Sequence, residues 1–501
     1  MSTPCEQYKL QNKLAKKNFK LHLNHYFNID IDIPNFWGVY TKGLPHNENG
    51  QVGNDACNIL INALLNNKLD KQYRLQLLSQ VPLGGPRKLV NPSVIFDLEV
   101  TNSIPSSFKA YNPPSIQSDE GASELIEVFE MSFLRDVPFT EWGTNAEIQL
   151  ACQNLSNIPD FYGPKINGQV TPETLFRGNS QGDLIGPYVS QFLLKDVPMG
   201  AMKIIQKYNV APPNVNYVTT IENYLKVANG FVPEIKAPSI GQRYISSMRD
   251  GCVCVYNDEP TQLPLNALRI LQSMNIPLAP GNPLRPNNLN SNEVGFVDLG
   301  IVDILDLIHR ASKIGMNVVW WYKWQLLKAR PEEYAFLLEK VANGLPIYLP
   351  NFLLNNSAIQ RNIIKYGNRL LSQTTPDGCP LHSSFAGGHS VLGCIGDTIL
   401  KAWFDENAII TNPVQASTDG LTLEPINTIL TVRGELDKLT SNCGIFRNAS
   451  GYHYRSDVDV SIEIGEEVAT QVLQDFVKRY AQPVTFKFTK YNGQLVTITN
   501  Q

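Results

Sequence analysis

Arg447, His453 and Asp457 form the last of three widely separated segments whose residue types could hold an oxyanion and move protons on it. The first is Lys323 with Arg330-Pro331, and the second runs His382-Ser383-Ser384-Phe385-Ala386-Gly387-Gly388-His389. Arginine offers a planar fork of donors that matches an oxyanion, and lysine adds a compact, mobile charge. Of the 7 histidines in the chain, His382, His389 and His453 all belong to these segments. Taken singly, each segment has a bland reading: a solvated cationic helix end, an ordinary glycine turn, a packing histidine. Their combination exceeds what packing requires, and could hold a tetrahedral or trigonal-bipyramidal metal oxyanion.

Local structure must bring these residues together. A continuous helix would put Arg330 about two turns beyond Lys323, on the same face. Pro331 biases Arg330 away from helical geometry, so the helix is expected to break before Arg330 and the two cations to converge from helix and loop. Gly387-Gly388 permits close backbone approach. His389 then opens an apolar run at helical spacing (Val391, Leu392, Ile395, Ile399, Leu400, Trp403, Phe404). That layout aims free N–H groups and a positive dipole end at an anion. Ser456 is the expected N-cap of a helix patterned on Val460, Ile464, Val468, Val472 and Phe476. His453 would sit just before that helix, where one ring nitrogen can ligate a metal while Asp457 holds the other.

In order and internal spacing the three segments resemble the vanadium-dependent haloperoxidases, most closely the algal bromoperoxidase-like branch and its bacterial relatives, within the acid phosphatase superfamily. Tyr322-Lys323-Trp324-Gln325, Ala329-Arg330-Pro331 and Gly451-Tyr452-His453-Tyr454-Arg455-Ser456-Asp457 carry the likeness. Thr41-Lys42-Gly43-Leu44-Pro45-His46, Leu134-Arg135-Asp136-Val137-Pro138-Phe139, Leu175-Phe176-Arg177-Gly178 and Gly186-Pro187-Tyr188 are similar to segments of that family as well, without explaining any chemistry.

The resemblance implies a mainly α fold of two four-helix bundles, with vanadate held in the second. It implies His453 as the single metal ligand, with Lys323, Arg330, Arg447 and the Gly387-Gly388 turn around the oxygens and Asp457 behind the ligand. His389 would be the acid–base group and Lys323 the polarising charge. His382 matches an extra histidine of the bromoperoxidase-like members, so bromide and iodide are expected over chloride. Hydrogen peroxide, halide and small organic molecules would be the substrates, and a homo-oligomer the assembly. One departure stands out: Gly387 replaces the serine that many members carry in the turn, and Ala386 the preceding proline. The lost hydroxyl removes a hydrogen bond to an equatorial oxygen, worth ~1.5–3 kcal/mol if the acceptor is charged. The alternatives are a phosphatase of the same superfamily, in which the histidine is a nucleophile, or a non-catalytic oxyanion-binding protein.

Composition bounds the other possibilities. The 501 residues suffice for a large core, and 43% apolar with 18% charged content describes an ordinary globular chain. A net charge of −4 gives no reason to expect nucleic acid. The short Lys-rich start (Lys13, Lys16, Lys17, Lys20) reads as a solvated arm or first helix. No run approaches the roughly 20 apolar residues of a membrane span, and the polar N-terminus has no signal-peptide core, so a cytoplasmic location is expected. Asn154, Asn355 and Asn448 head glycosylation sequons that mean little without a leader. The 8 cysteines show no zinc or haem spacing. Most should be reduced and buried, with a Cys394–Cys443 disulfide left open.

Along the chain, helices are expected over Ala122–Phe133, Tyr188–Leu194, Val302–Lys313 and Glu332–Asn343. Long Pro-rich connections such as 81–86 and 277–283 read as ordered covers over a pocket. Alternation over 484–489 and 494–498 around Asn492-Gly493 predicts a hairpin with a type I′ turn. A soft boundary between Pro238 and Pro280 divides the chain into an N-terminal helical half, 1–250, and a C-terminal half, 251–501, that carries the pocket and ends in the hairpin.

Overall fold

Residues 36–66, 68–96, 111–288 and 292–501 are described by the structure, a computed structural model. The Lys-rich start lies outside them. Fourteen helices dominate the described residues. The first seven are α1 (Asn54–Leu65), α2 (Lys71–Gln80), α3 (Asp119–Leu134), α4 (Ala146–Asn157), α5 (Ile221–Ala228), α6 (Met248–Asn257) and α7 (Gln262–Ser273). The rest are α8 (Ile301–Leu326), α9 (Pro331–Ala342), α10 (Asn351–Asn355), α11 (Ser357–Tyr366), α12 (Gly388–Trp403), α13 (Val432–Ala449) and α14 (Arg455–Val477). The strands, β1 (Val197–Met199) to β8 (Leu495–Thr499), form only two-stranded antiparallel pairs among these residues.

The apolar run after His389 folds as α12, whose side chains are almost entirely buried. It packs on α8, α13 and α14, while α14 also packs on α8 and α13, and α13 on α6. Glycines allow the closest crossings. A Cβ on Gly396 would lie 2.1 Å from Pro264 Cβ at the start of α7, and one on Gly444 of α13 would lie 2.4 Å from Ser390 Oγ. The N-terminus of α12 is therefore surrounded by the ends of α8, α13 and α14, and the site lies there.

Several local expectations change. Tyr188–Leu194 is not an α-helix; only Gln191–Leu193 makes a 3-10 turn. The Gln191 side chain bonds both the N–H and the C=O of Val414, and Ser190 Oγ donates to Glu435 O, so long-range polar contacts outcompete a helical ladder. Helix α14 starts at Arg455 with Tyr454 at the cap, two residues earlier than Ser456 would set it. Asp457 reaches back to the Tyr454 N–H (3.1 Å), which frees Ser456 to bond Glu124 instead. The final hairpin, β7 (Thr485–Thr489) with β8, is joined by five residues, 490–494, of which Gly493 alone has positive φ (87°). A type I′ turn would need Asn492 there too. Tyr491 sets the wider loop: its N–H goes to Glu466 Oε1 (2.5 Å) and its hydroxyl to Asp183 and Ser441.

Of the two Pro-rich connections, 81–86 packs on the segment at Gly43, with Gly84 N donating to Gly43 O at 3.0 Å. Only the residues beyond it reach α8, where the indole N–H groups of Trp320 and Trp324 hold Val90 O at 3.2 and 3.1 Å. The 277–283 stretch instead covers the far end of α12, with Ala279 N donating to Trp403 O. The seven described cysteines are free and buried, Cys394 and Cys443 included.

The crossing of α12 and α7 has no room for a methyl group. Gly396→Ala should destabilise the protein by about 1–3 kcal/mol through overpacking, seen as a lower apparent melting temperature. An unchanged melt would mean that the helices can separate freely.

Candidate functional site

Lys323 stands in the last turn of α8, which Leu327 ends in a left-handed conformation (φ 48°). The chain then returns so that Arg330 caps α9, its N–H held by Glu333 Oε2 at 2.8 Å. The break expected at Pro331 is thus present, and cations from a helix end and a cap meet one loop. Lys323 Nζ donates to the carbonyls of Ser383 (3.2 Å), Ser384 (2.8 Å) and Ala386. Arg330 spreads its fork over His382 O (2.9 Å), His382 Nδ1 (2.9 Å), Tyr452 O (2.7 Å) and His453 Nε2 (3.1 Å).

Opposite them, Gly387 caps α12 with φ −79°. Its N–H is given to Asp457 O at 3.0 Å, so it is not a free donor. The first-turn N–H groups of Gly388 and His389 have no carbonyl one turn back and remain for an anion. His389 Nε2 lies 2.9 Å from Asp258 Oδ1, just after α6. Arg447, in the last turn of α13, donates Nη1 to Val255 O (2.9 Å), and its guanidinium lies 4.6 Å from the Tyr452 ring centroid. Its buried Nε has no protein partner.

His453 Nδ1 is 2.9 Å from Asp457 Oδ2, an oxygen that also accepts from Tyr454 N and Ser384 Oγ. A carboxylate there takes the Nδ1 proton in a hydrogen bond and leaves Nε2 as the lone-pair nitrogen. Burial, then the Arg330 and Lys323 charges, push His453 well below the ordinary histidine range. Burial and the same charges do so for His382. Burial and the Arg330 charge also lower Lys323 well below an ordinary lysine.

Lys323, Arg330 and Arg447 are all buried, and among the described residues none is ion-paired with a carboxylate. Buried cations without counter-charges are costly, and an anion from outside would offset that cost. No group of three His, Cys, Asp or Glu side chains suited to a metal ion occurs among the described residues. A metal would therefore fit only as a species that brings its own anionic oxygens to one nitrogen, His453 Nε2. The unpartnered Arg447 Nε suits such an oxyanion.

The sequence singled out Lys323, Arg330, His382, Gly387, Gly388, His389, Arg447, His453 and Asp457, and these residues meet around the start of α12. Three contributors were not visible in it. Asp258 is 131 residues from His389. Ser384 bonds Asp457. Lys328 Nζ sits 3.8 Å from Asp457 Oδ1 and 3.3 Å from Glu124 Oε2, backing the carboxylate that holds His453. The available hints were the position of Lys328 between Lys323 and Arg330 and that of Ser384 within the second segment.

Residues 366–483 match the family model described as the VCPO second helical-bundle domain. The chain is 28% identical to the vanadium-dependent bromoperoxidase of Ascophyllum nodosum over 92% of its own length and 86% of the relative's. It is 27% identical to that of Corallina officinalis over 93% and 91%. The solved second vanadate-dependent bromoperoxidase of Ascophyllum nodosum, a homohexamer, is 26% identical and superposes with a TM-score of 0.86 over 99% of this chain and 91% of that one.

Removing the guanidinium with the spare donor should cost a charge-assisted hydrogen bond. Arg447→Met is expected to weaken binding of inorganic phosphate, as a generic tetrahedral oxyanion, by roughly tenfold or more. Calorimetric titration measures this, and equal affinity in both proteins would remove Arg447 from the pocket.

Proposed function

We infer the activity of this chain from its membership of the vanadium-dependent haloperoxidases: it is a peroxidase that oxidises halide with hydrogen peroxide. The observation that carries the chemistry is the set of three buried cations with no carboxylate ion-paired to them among the described residues, facing a histidine whose Nε2 lone pair is fixed by Asp457.

The oxyanion proposed for this pocket is vanadate. His453 would ligate it through Nε2, and Asp457 would hold that ring in the ligating tautomer. Arg330 and Arg447 would match the charge of the oxygens, with Lys323 and the Gly388 N–H close by. Bound vanadate would supply a Lewis-acidic centre that makes peroxide electrophilic towards halide. His389 would exchange the peroxide proton as general acid–base, oriented by Asp258 through Nε2. Lys323 contributes a positive field where negative charge develops. His382, neutral through burial and with its ring centroid 4.8 Å from that of Trp320, would form the polar wall at which halide enters. On this basis we propose bromide and iodide as the halides oxidised, small organic molecules as acceptors, and a homo-oligomeric assembly like that of the hexameric relative.

Incubation with orthovanadate followed by dialysis, then assay with peroxide and bromide on a phenolic dye, tests the reading. The wild type should retain near-stoichiometric vanadium and brominate the dye. His453→Ala should lose both properties, and His389→Ala should keep the metal but turn over about 10²–10⁴ times more slowly. Equal vanadium and bromination in all three proteins would sink the assignment.

Gly387 offers a second measurement. Its φ of −79° suits any side chain, but an added Cβ would sit 3.2 Å from both Asp457 O and Ser390 Oγ. Gly387→Ser should tighten vanadate retention in equilibrium dialysis by up to ~1.5–3 kcal/mol if those neighbours yield. Gly387→Ala adds the same Cβ without the donor. A loss of affinity in both would show that the turn needs glycine for close approach.

A further inference from the structure

Within the Thr41-Lys42-Gly43-Leu44-Pro45-His46 segment, the Lys42 side chain is 1% exposed. Its Nζ reaches Glu332 Oε1 (2.5 Å), Cys379 O (2.6 Å) and Asp377 O (3.2 Å). The other oxygen of Glu332 accepts the Cys379 N–H at 3.1 Å. Gly378, between those two loop residues, has φ 61°, and a Cβ on it would lie 2.5 Å from Glu332 Oε2 and 3.0 Å from Lys42 Nζ. The loop is thus drawn tightly over the ion pair.

The same segment grips the start of α9 through its main chain. The N–H groups of Thr41 and Lys42 donate to Glu333 Oε1 at 2.9 and 3.1 Å, and Glu333 Oε2 accepts the Arg330 N–H. Arg330 in turn holds His382 O at the end of the loop that begins at Asp377. Lys42 therefore closes a ring: Lys42 to Glu332 and the 377–379 backbone, along the loop to His382, across to Arg330, and back through Glu333 to the Lys42 amide. A buried ion pair adds little net stability compared with apolar residues of similar size. What this one does supply is a fixed relation between Arg330 and His382.

We propose that Lys42 is a positioning residue of the oxyanion pocket, acting through Glu332 and the 377–382 loop to set Arg330 against His382. The proposal rests on the oxyanion reading above. The test compares Lys42→Met, Lys42→Arg and a control, Arg361→Met, which breaks the ion pair to Glu130 on α3 away from the pocket. Orthovanadate affinity is measured by equilibrium dialysis, and amide hydrogen exchange is followed by mass spectrometry on the same full-length proteins.

Lys42→Met should raise the vanadate dissociation constant at least tenfold and speed exchange in segments 330–335 and 376–386. Lys42→Arg should recover most of both, and Arg361→Met should lower the melting temperature while moving neither. Unchanged exchange in those segments, or an equal effect from Arg361→Met, overturns the proposal. If Lys42→Met does not fold, Lys42→Met/Glu332→Met removes both buried charges and takes its place. Failure of the wild type to bind vanadate would instead refute the functional reading, and the exchange arm alone would then decide whether Lys42 locks the loop.

Discussion

Three buried cations that form no ion pair with a carboxylate among the described residues are the constraint on which the rest of this structure depends. Lys323, Arg330 and Arg447 must be desolvated to face a ligand, and each must keep its geometry when water is removed. The protein manages this with main-chain carbonyls: three around Lys323, two around Arg330 and one at Arg447. Carbonyl dipoles satisfy N–H donors without cancelling the charge. A carboxylate in their place would have turned the pocket into a structural salt bridge.

Carboxylates are present but set one layer back, and each fixes the direction of something that faces the pocket. Asp457 orients His453, Asp258 reaches His389, and Glu333 holds the Arg330 amide. Their own charges are balanced further out, as with Lys328 beside Asp457 and Glu124. Burial pushes Glu333 up to about 7, against the Arg330 and Thr41 N–H groups that hold its carboxylate.

Much of the site was legible in the sequence because its chemistry needs rare residue types in short segments. The Pro331 break, the glycine start of α12 and the Asp457–His453 spacing are local signals, and each is realised close to where it was read. The misreadings share one cause, which is competition from distant polar groups. Ser456 looked like a cap because nothing local announces that Glu124 takes both its amide and its hydroxyl. Asn492-Gly493 looked like a tight turn because nothing local announces that Tyr491 is drawn to Asp183 and Glu466. Asp258 carries no local pattern at all, since its meaning comes only from an imidazole far along the chain.

That separation along the chain has a consequence for how the protein is made. The contacts that define the pocket join residues 290 apart for Lys42 and Glu332, 131 for Asp258 and His389, and 123 for Arg330 and His453. Closing such loops is entropically slow, and a chain still on the ribosome lacks the partners. Until α14 has been synthesised and docked, His453 has no Asp457 to orient it. The oxyanion-facing arrangement thus depends on contacts that the C-terminal helix completes, and a chain truncated before α14 would lack the Asp457 that orients His453.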